Sequence, residues 1–383
     1  MNKRVMTAIT IGLCTVMIAA CNKEETNEQT SSVFTSEVED EKITDSSASI
    51  SNKEDKISNN TKAEIPEGMY ISELTGEPLD ESLEDQRPIA VMIDNDKKSF
   101  PHYGTTQADI VYELINTTTN DRLTRLMCIY KDWGSIEQIG NIRTAQPSNI
   151  VLAAEFDAVL CHEGGPWFND EYFDQEKFAD HFTGVFTNTA VTNDDLYTEY
   201  IMAGDLDNAF ANSSISSTYR EIYPKDDHKL KFTDYGTIVD LQAYVTDVTD
   251  VIEIVLPFYH NESTLRYNEN TEKYEYYEYG NLYQDAEGGG ILAFDNVIIQ
   301  NTDFHMLDNN GYLEYYFYQY DNDNGYYITK GQCIPIYWDR YRDTDIVHYY
   351  ADASYTQEIQ INTGKTYIAL VPSDTWDEVS LNN

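Results

Sequence analysis

Cysteine and positive charge are both scarce in this chain of 383 residues. It has five cysteines, and 25 Lys and Arg stand against 67 Asp and Glu, a formal charge of −42. That balance disfavours nucleic acid and anionic lipid as partners, since both would be repelled. Beyond the first 21 residues only Cys128, Cys161 and Cys333 remain. An odd set with no CxxC spacing excludes a disulfide framework and a thiolate zinc site, and apolar neighbours predict buried thiols. No G-x-S-x-G, H-E-x-x-H or P-loop pattern occurs. Aligning Gly311 or Gly325 as the glycine of a calcium loop puts Phe317 or Gly331 where a glutamate is required, so no metal or other cofactor is expected.

The N-terminus is rich in signal. Lys3 and Arg4 precede an uncharged, mostly apolar run from Val5 to Ala20, too short to span a bilayer but suited to a signal peptide. Ile18-Ala19-Ala20-Cys21 reads as a lipobox, with Cys21 the lipidated residue and 1–20 removed. Residues 22–65 are dominated by Ser, Thr, Asn, Glu, Asp and Lys, with Phe34 the lone aromatic. Such a stretch cannot bury enough apolar surface to fold, so 21–65 reads as a lipid-anchored disordered linker with a reach of about 35–40 Å. The expected location is the extracytoplasmic face of a bacterial membrane.

The rest divides by texture into an α+β whole. From 66 to 256, β-branched runs at 89–94, 109–115, 123–130 and 157–162 alternate with helix signals opening near Pro147 and covering 170–178 and 194–211, which predicts an α/β layered domain. From 257 to 383, short strands separated by turn residues predict an antiparallel β domain. It is rich in tyrosine: 19 of the 31 tyrosines lie between Tyr259 and Tyr355. Asn310-Gly311 and Asn324-Gly325 are its hairpin signals, since tight turns need positive φ at both central residues. The tyrosines are expected on outward, wet positions of those strands.

Ordered motifs run through both parts. Arg87-Pro88-Ile89-Ala90-Val91-Met92-Ile93-Asp94-Asn95, Ala108-Asp109-Ile110-Val111-Tyr112-Glu113, Thr124-Arg125, Ile139-Gly140-Asn141-Ile142-Arg143 and His162-Glu163-Gly164-Gly165 resemble the N-terminal part of the YerB-like lipoprotein family. Asn296-Val297-Ile298-Ile299-Gln300 and Asn362-Thr363-Gly364-Lys365-Thr366-Tyr367-Ile368-Ala369-Leu370-Val371-Pro372 resemble its C-terminal part. The resemblance implies architecture and location rather than an activity. This chain reads Gly140-Asn141-Ile142-Arg143-Thr144-Ala145-Gln146 where the family carries a second arginine, which puts anion binding through that arginine in doubt.

Strand ends are where α/β sheets place ligands, which singles out Asp94, Glu113, Arg125, Arg143, His162 and Glu163 as a polar binding site. In that reading arginine and helix amides hold an anion and His162 moves a proton. The structural alternative pairs Arg125 and Arg143 with Asp109 or Glu113. A thiol dyad of Cys161 with His162 is disfavoured because successive strand residues point to opposite faces. The function expected is a tethered, non-enzymatic module that binds an envelope glycan or a membrane-anchored protein. The alternatives are a glycan- or peptide-processing enzyme using Glu113 or Glu163, and a scaffold for wall-synthesis proteins.

Overall fold

The computed structural model describes residues 61–188, 198–222, 230–317, 323–340 and 346–383. The signal, linker and Cys21 readings lie outside these residues. Among the described residues no helix is long and apolar enough to cross a membrane.

The fold is α+β and dominated by strands. A mixed sheet runs in the order Thr249–Asp250, Gln332–Asp339, Asn324–Thr329, Asn296–Thr302, Thr366–Pro372, Ile110–Ile115, Thr124–Tyr130, Ile89–Asp94, Val159–Cys161, His181–Phe182. Its five central strands are mainly apolar and β-branched and are wholly buried, as strands covered on two sides must be. One face carries helix Pro147–Ala154, which Pro147 opens. A second, antiparallel sheet covers the other face in the order Asn281–Leu282, Lys273–Glu278, Thr264–Asn268, Glu253–Val255, Ser380–Asn382.

The main sheet runs straight through the boundary between 66–256 and 257–383. Strand Thr366–Pro372 lies parallel to Asn296–Thr302 on one side and to Ile110–Ile115 on the other, with Ala369 opposite Glu113. The two textures therefore form one compact unit. Among its described strands, the second texture pairs antiparallel except at Thr366–Pro372.

Three local expectations change. Within 194–211 the described residues hold a strand, Glu199–Met202, and a helix only over Asp205–Ala211, because Tyr200 and Ile201 are buried against Gln138–Gly140. Over 170–178 the helix stops at Phe173. Asn324-Gly325 lies inside a strand rather than at a turn: Gly325 faces Ile336, and a Cβ there would stand 2.5 Å from the Ile299 carbonyl oxygen. The tight turn is made instead by Lys330-Gly331, with φ of 49° and 77°. Asn310-Gly311 does join the antiparallel pair Phe304–Met306 and Leu313–Tyr315.

Part of the tyrosine set turns inward, while Tyr259 and Tyr316 stay exposed. Tyr274, Tyr276, Tyr315, Tyr327 and Tyr367 are fully buried, their rings packed in the core and their hydroxyls bonded there. Cys128, Cys161 and Cys333 are buried free thiols, as expected.

Candidate functional site

Cross-strand register brings together three of the six polar candidates. Asp94 sits directly opposite Arg125, and the Ile93–Ile142 bridge delivers Arg143 beside them. Arg143 Nε donates to Asp94 Oδ2 at 2.9 Å, Arg125 Nη1 stands 3.7 Å from the same oxygen, and the Asp96 amide donates to Asp94 Oδ1. Burial opposes the charge on Asp94, but Arg125, the Asp96 amide and Arg143 outweigh it and hold the carboxyl below its ordinary range. Asp94 and Arg125 are sealed, whereas a quarter of the Arg143 side chain reaches solvent. The void beside Arg125, lined by Leu114, Gln146, Ser148 and Leu313, has no room for a water molecule. The first turn of the helix is occupied from within: the Gln146 amide donates to Asn149 Oδ1, and Gln146 Oε1 accepts from the Leu313 amide. The expected pairing of Arg125 and Arg143 with Asp109 or Glu113 gives way to Asp94.

Glu113 is on the other face. Its neighbour Leu114 lies opposite Arg125, so Glu113 points away from that triad toward the second sheet. There its carboxylate accepts from Thr124 (2.7 Å), Ser263 (2.6 Å), Tyr276 (2.9 Å) and Tyr367 (2.5 Å). Burial pushes its pKa up, and these hydroxyls pull part of the way back. The same seam holds a chain that sequence reasoning missed: Ser99 Oγ to His102 Nε2 at 2.7 Å, His102 Nδ1 to Tyr283 at 2.7 Å, Tyr283 to Thr105, and Thr105 to Asp285. Ser99 beside His102 has the geometry of a nucleophile and its base, yet neither is exposed at all. Burial lowers the His102 pKa to about 4, so the ring is neutral.

His162 and Glu163 occupy a third place. His162 Nδ1 donates to the Gly164 carbonyl at 2.7 Å, so Nε2 accepts from His181 Nδ1 at 2.9 Å. The His181 ring stacks on Phe173. Burial lowers both imidazoles, His181 to about 4, and the pair is uncharged at neutral pH. Cys161 faces the core with its thiol pushed well up by burial, so it forms no dyad with His162. Glu163 Oε2 accepts from the Gly184 amide.

The loop that follows is tied to the Arg143 segment along its length. The Glu163 amide donates to the Arg143 carbonyl, Ala145 to that of Gly164, and Asn169 Nδ2 to that of Ala145. A Cβ at Gly165 would meet Asn169 Nδ2 at 2.4 Å and the Ala145 carbonyl at 2.8 Å, so glycine is required there. This tightly bonded loop presents Trp167, 66% exposed, its ring tilted against Phe168 with centroids 4.1 Å apart. Sequence reading missed Trp167. Its signal was a Trp-Phe pair directly after Gly-Gly-Pro. Among the described residues no three His, Cys, Asp or Glu side chains are grouped to hold a metal ion.

Comparison with known proteins follows the same two-part division. Residues 74–216 match the N-terminal domain, and 254–368 the C-terminal domain, of a family described as protein of unknown function DUF3048. The chain belongs to the DUF3048 family. Within it, the chain is 24% identical over 247 residues to YerB of Bacillus subtilis (strain 168), named as a candidate lipoprotein, across 62% of this chain and 69% of that protein. It also resembles the crystal structure of Bacillus subtilis YerB, with a TM-score of 0.68 and 20% identity over 82% of this chain and all of that one.

Proposed function

We propose that the chain is a lipid-anchored, non-enzymatic binding module on the extracytoplasmic face of the bacterial membrane, which grips an envelope glycan with the 162–168 loop. The anchor rests on the lipobox ending at Cys21, on the linker reading of 21–65, and on the lipoprotein name of the related YerB. The observation that carries the glycan reading is Trp167, held exposed by a loop with no slack, with Arg143 and Glu163 on the bonded segments beside it. A fixed aromatic face flanked by charge-bearing hydrogen-bond groups suits the apolar face and hydroxyl rim of a pyranose ring. The enzyme alternative is weakened because Glu113 and the Ser99–His102 pair are enclosed. Nothing comparable favours the scaffold.

The test is calorimetric titration of the full chain, purified in neutral detergent, with peptidoglycan fragments, while reducing ends are followed. Trp167→Ala is expected to weaken binding by about tenfold, the loss of roughly one aromatic stacking contact. Release of new reducing ends by the parent protein would sink the non-enzymatic reading, and silence from both proteins would sink the glycan.

A further inference from the structure

A second carboxyl, Glu278, is buried beside Glu113 in the seam between the two sheets. It arrives there by strand alternation: in Lys273–Glu278 the buried positions are Tyr274, Tyr276 and Glu278. The two acids differ sharply in what surrounds them. Glu113 collects four hydroxyl donors, whereas neither oxygen of Glu278 has a hydrogen-bond partner. The polar groups around Glu278 have spent their donors elsewhere. Asn261 Nδ2 donates to the Asn95 carbonyl (2.6 Å) and to Tyr279, Tyr276 donates to Glu113, and Asn95 Nδ2 donates to Thr124 (2.9 Å). What is left over is an acceptor, Asn95 Oδ1, buried and without a partner.

An anion at Glu278 would face another carboxylate, and the Asn261, Tyr276 and Asn95 side chains beside it, whose hydrogens are directed elsewhere, hold it too weakly to offset burial, while a neutral acid would supply the hydrogen that Asn95 Oδ1 lacks. We propose that Glu278 is a protonated latch: it carries a proton that Glu113 does not, donates it to Asn95, and so fastens the second sheet to the first until rising pH removes it. This inference is independent of what the 162–168 loop binds.

The titratable groups facing Glu278 come from every element around it. They are Glu113 from the main sheet, Tyr367 from its central strand, and Tyr276, Tyr279 and Tyr283 from the second sheet. Burial raises all four phenols, so they stay neutral. Lys97 stands over the Tyr279 ring, 5.6 Å from its centroid, and makes no ion pair with Glu278. Burial first, and Glu113 second, push the Glu278 pKa well above 4.5, and the nearby Asn261, Tyr276 and Asn95 side chains pull only part of the way back. A carboxyl raised on folding contributes stability that is complete below its unfolded pKa and is lost as pH rises toward the folded one. The latch therefore holds in acid and slackens in alkali.

The test compares urea unfolding of the full chain and of Glu278→Gln, the isosteric mimic of the protonated acid, from pH 5 to pH 9. The unfolding constant of the parent should rise relative to that of the variant by about tenfold per pH unit over the lower part of that range. Parallel profiles for the two proteins would overturn the proposal. So would a rise in the parent's alkaline stability with added sodium or calcium that Glu278→Gln does not share, since a cation would then be the fastener. Should the variant fail to fold, infrared spectra of the parent decide. A buried protonated-carboxyl band at pH 7 that fades in alkali supports the latch, and its absence ends it.

Discussion

Asp94 pairs with two arginines at once. Arg125 is almost wholly buried, and its carboxylate partner lies across the strand pair. Asp94→Ala should cost about 3–5 kcal/mol in urea unfolding, because it takes a carboxylate away from a buried guanidinium. Arg143→Ala should cost far less, since that side chain reaches water. At this scale the sequence was only partly legible. Asp94, Arg125 and Arg143 stood out as rare charges at strand ends, but their pairing depends on register, and a shift of one residue reverses every face. That parity is why Glu113 turned away from them. Tyr276 and Tyr367 misled because propensity scales favour tyrosine on wet strands, whereas here their hydroxyls are required inside to meet Glu113.

Among the elements, the turn that enters strand Thr366–Pro372 is the most tightly specified. Gly364 has φ of +119°, and a Cβ there would lie 2.2 Å from Asp295 Oδ2, an oxygen that accepts from the Lys365 amide and from Lys273. Gly364→Ala should destabilise the protein by roughly 2–3 kcal/mol through strain and displacement of Asp295, read as a lower urea midpoint with an unchanged slope. The long apolar strands were legible, since length, β-branching and bounding turn residues agree. The helix read over 194–211 was not, because burial of Tyr200 and Ile201 against Gln138–Gly140 overrides local preference. Asn324-Gly325 resembles a turn in isolation. Only the approach of the Ile299 carbonyl explains why glycine is needed inside a strand.

For the whole molecule, the texture change near 257 was legible but its meaning was not, because composition does not record which strands become neighbours. Produced alone, 66–256 would leave Ile110–Ile115 as an open edge and Glu113 without Ser263, Tyr276 and Tyr367. It should be insoluble or lack a cooperative melt, and co-production with 257–383 should restore both solubility and the melt. A monomeric 66–256 with a sharp transition would contradict the shared sheet.

The parallel placement of Thr366–Pro372 between Asn296–Thr302 and Ile110–Ile115 also sets an order in time. A ribosome that has finished the strands from 89 to 130 has made three strands of a sheet whose central neighbour is still more than 230 residues away. Until that strand is made, the earlier ones can collapse but not close, and contacts of such sequence separation form slowly. The nascent chain is thus kept pliable for most of its synthesis, and the fold becomes committed only near the end.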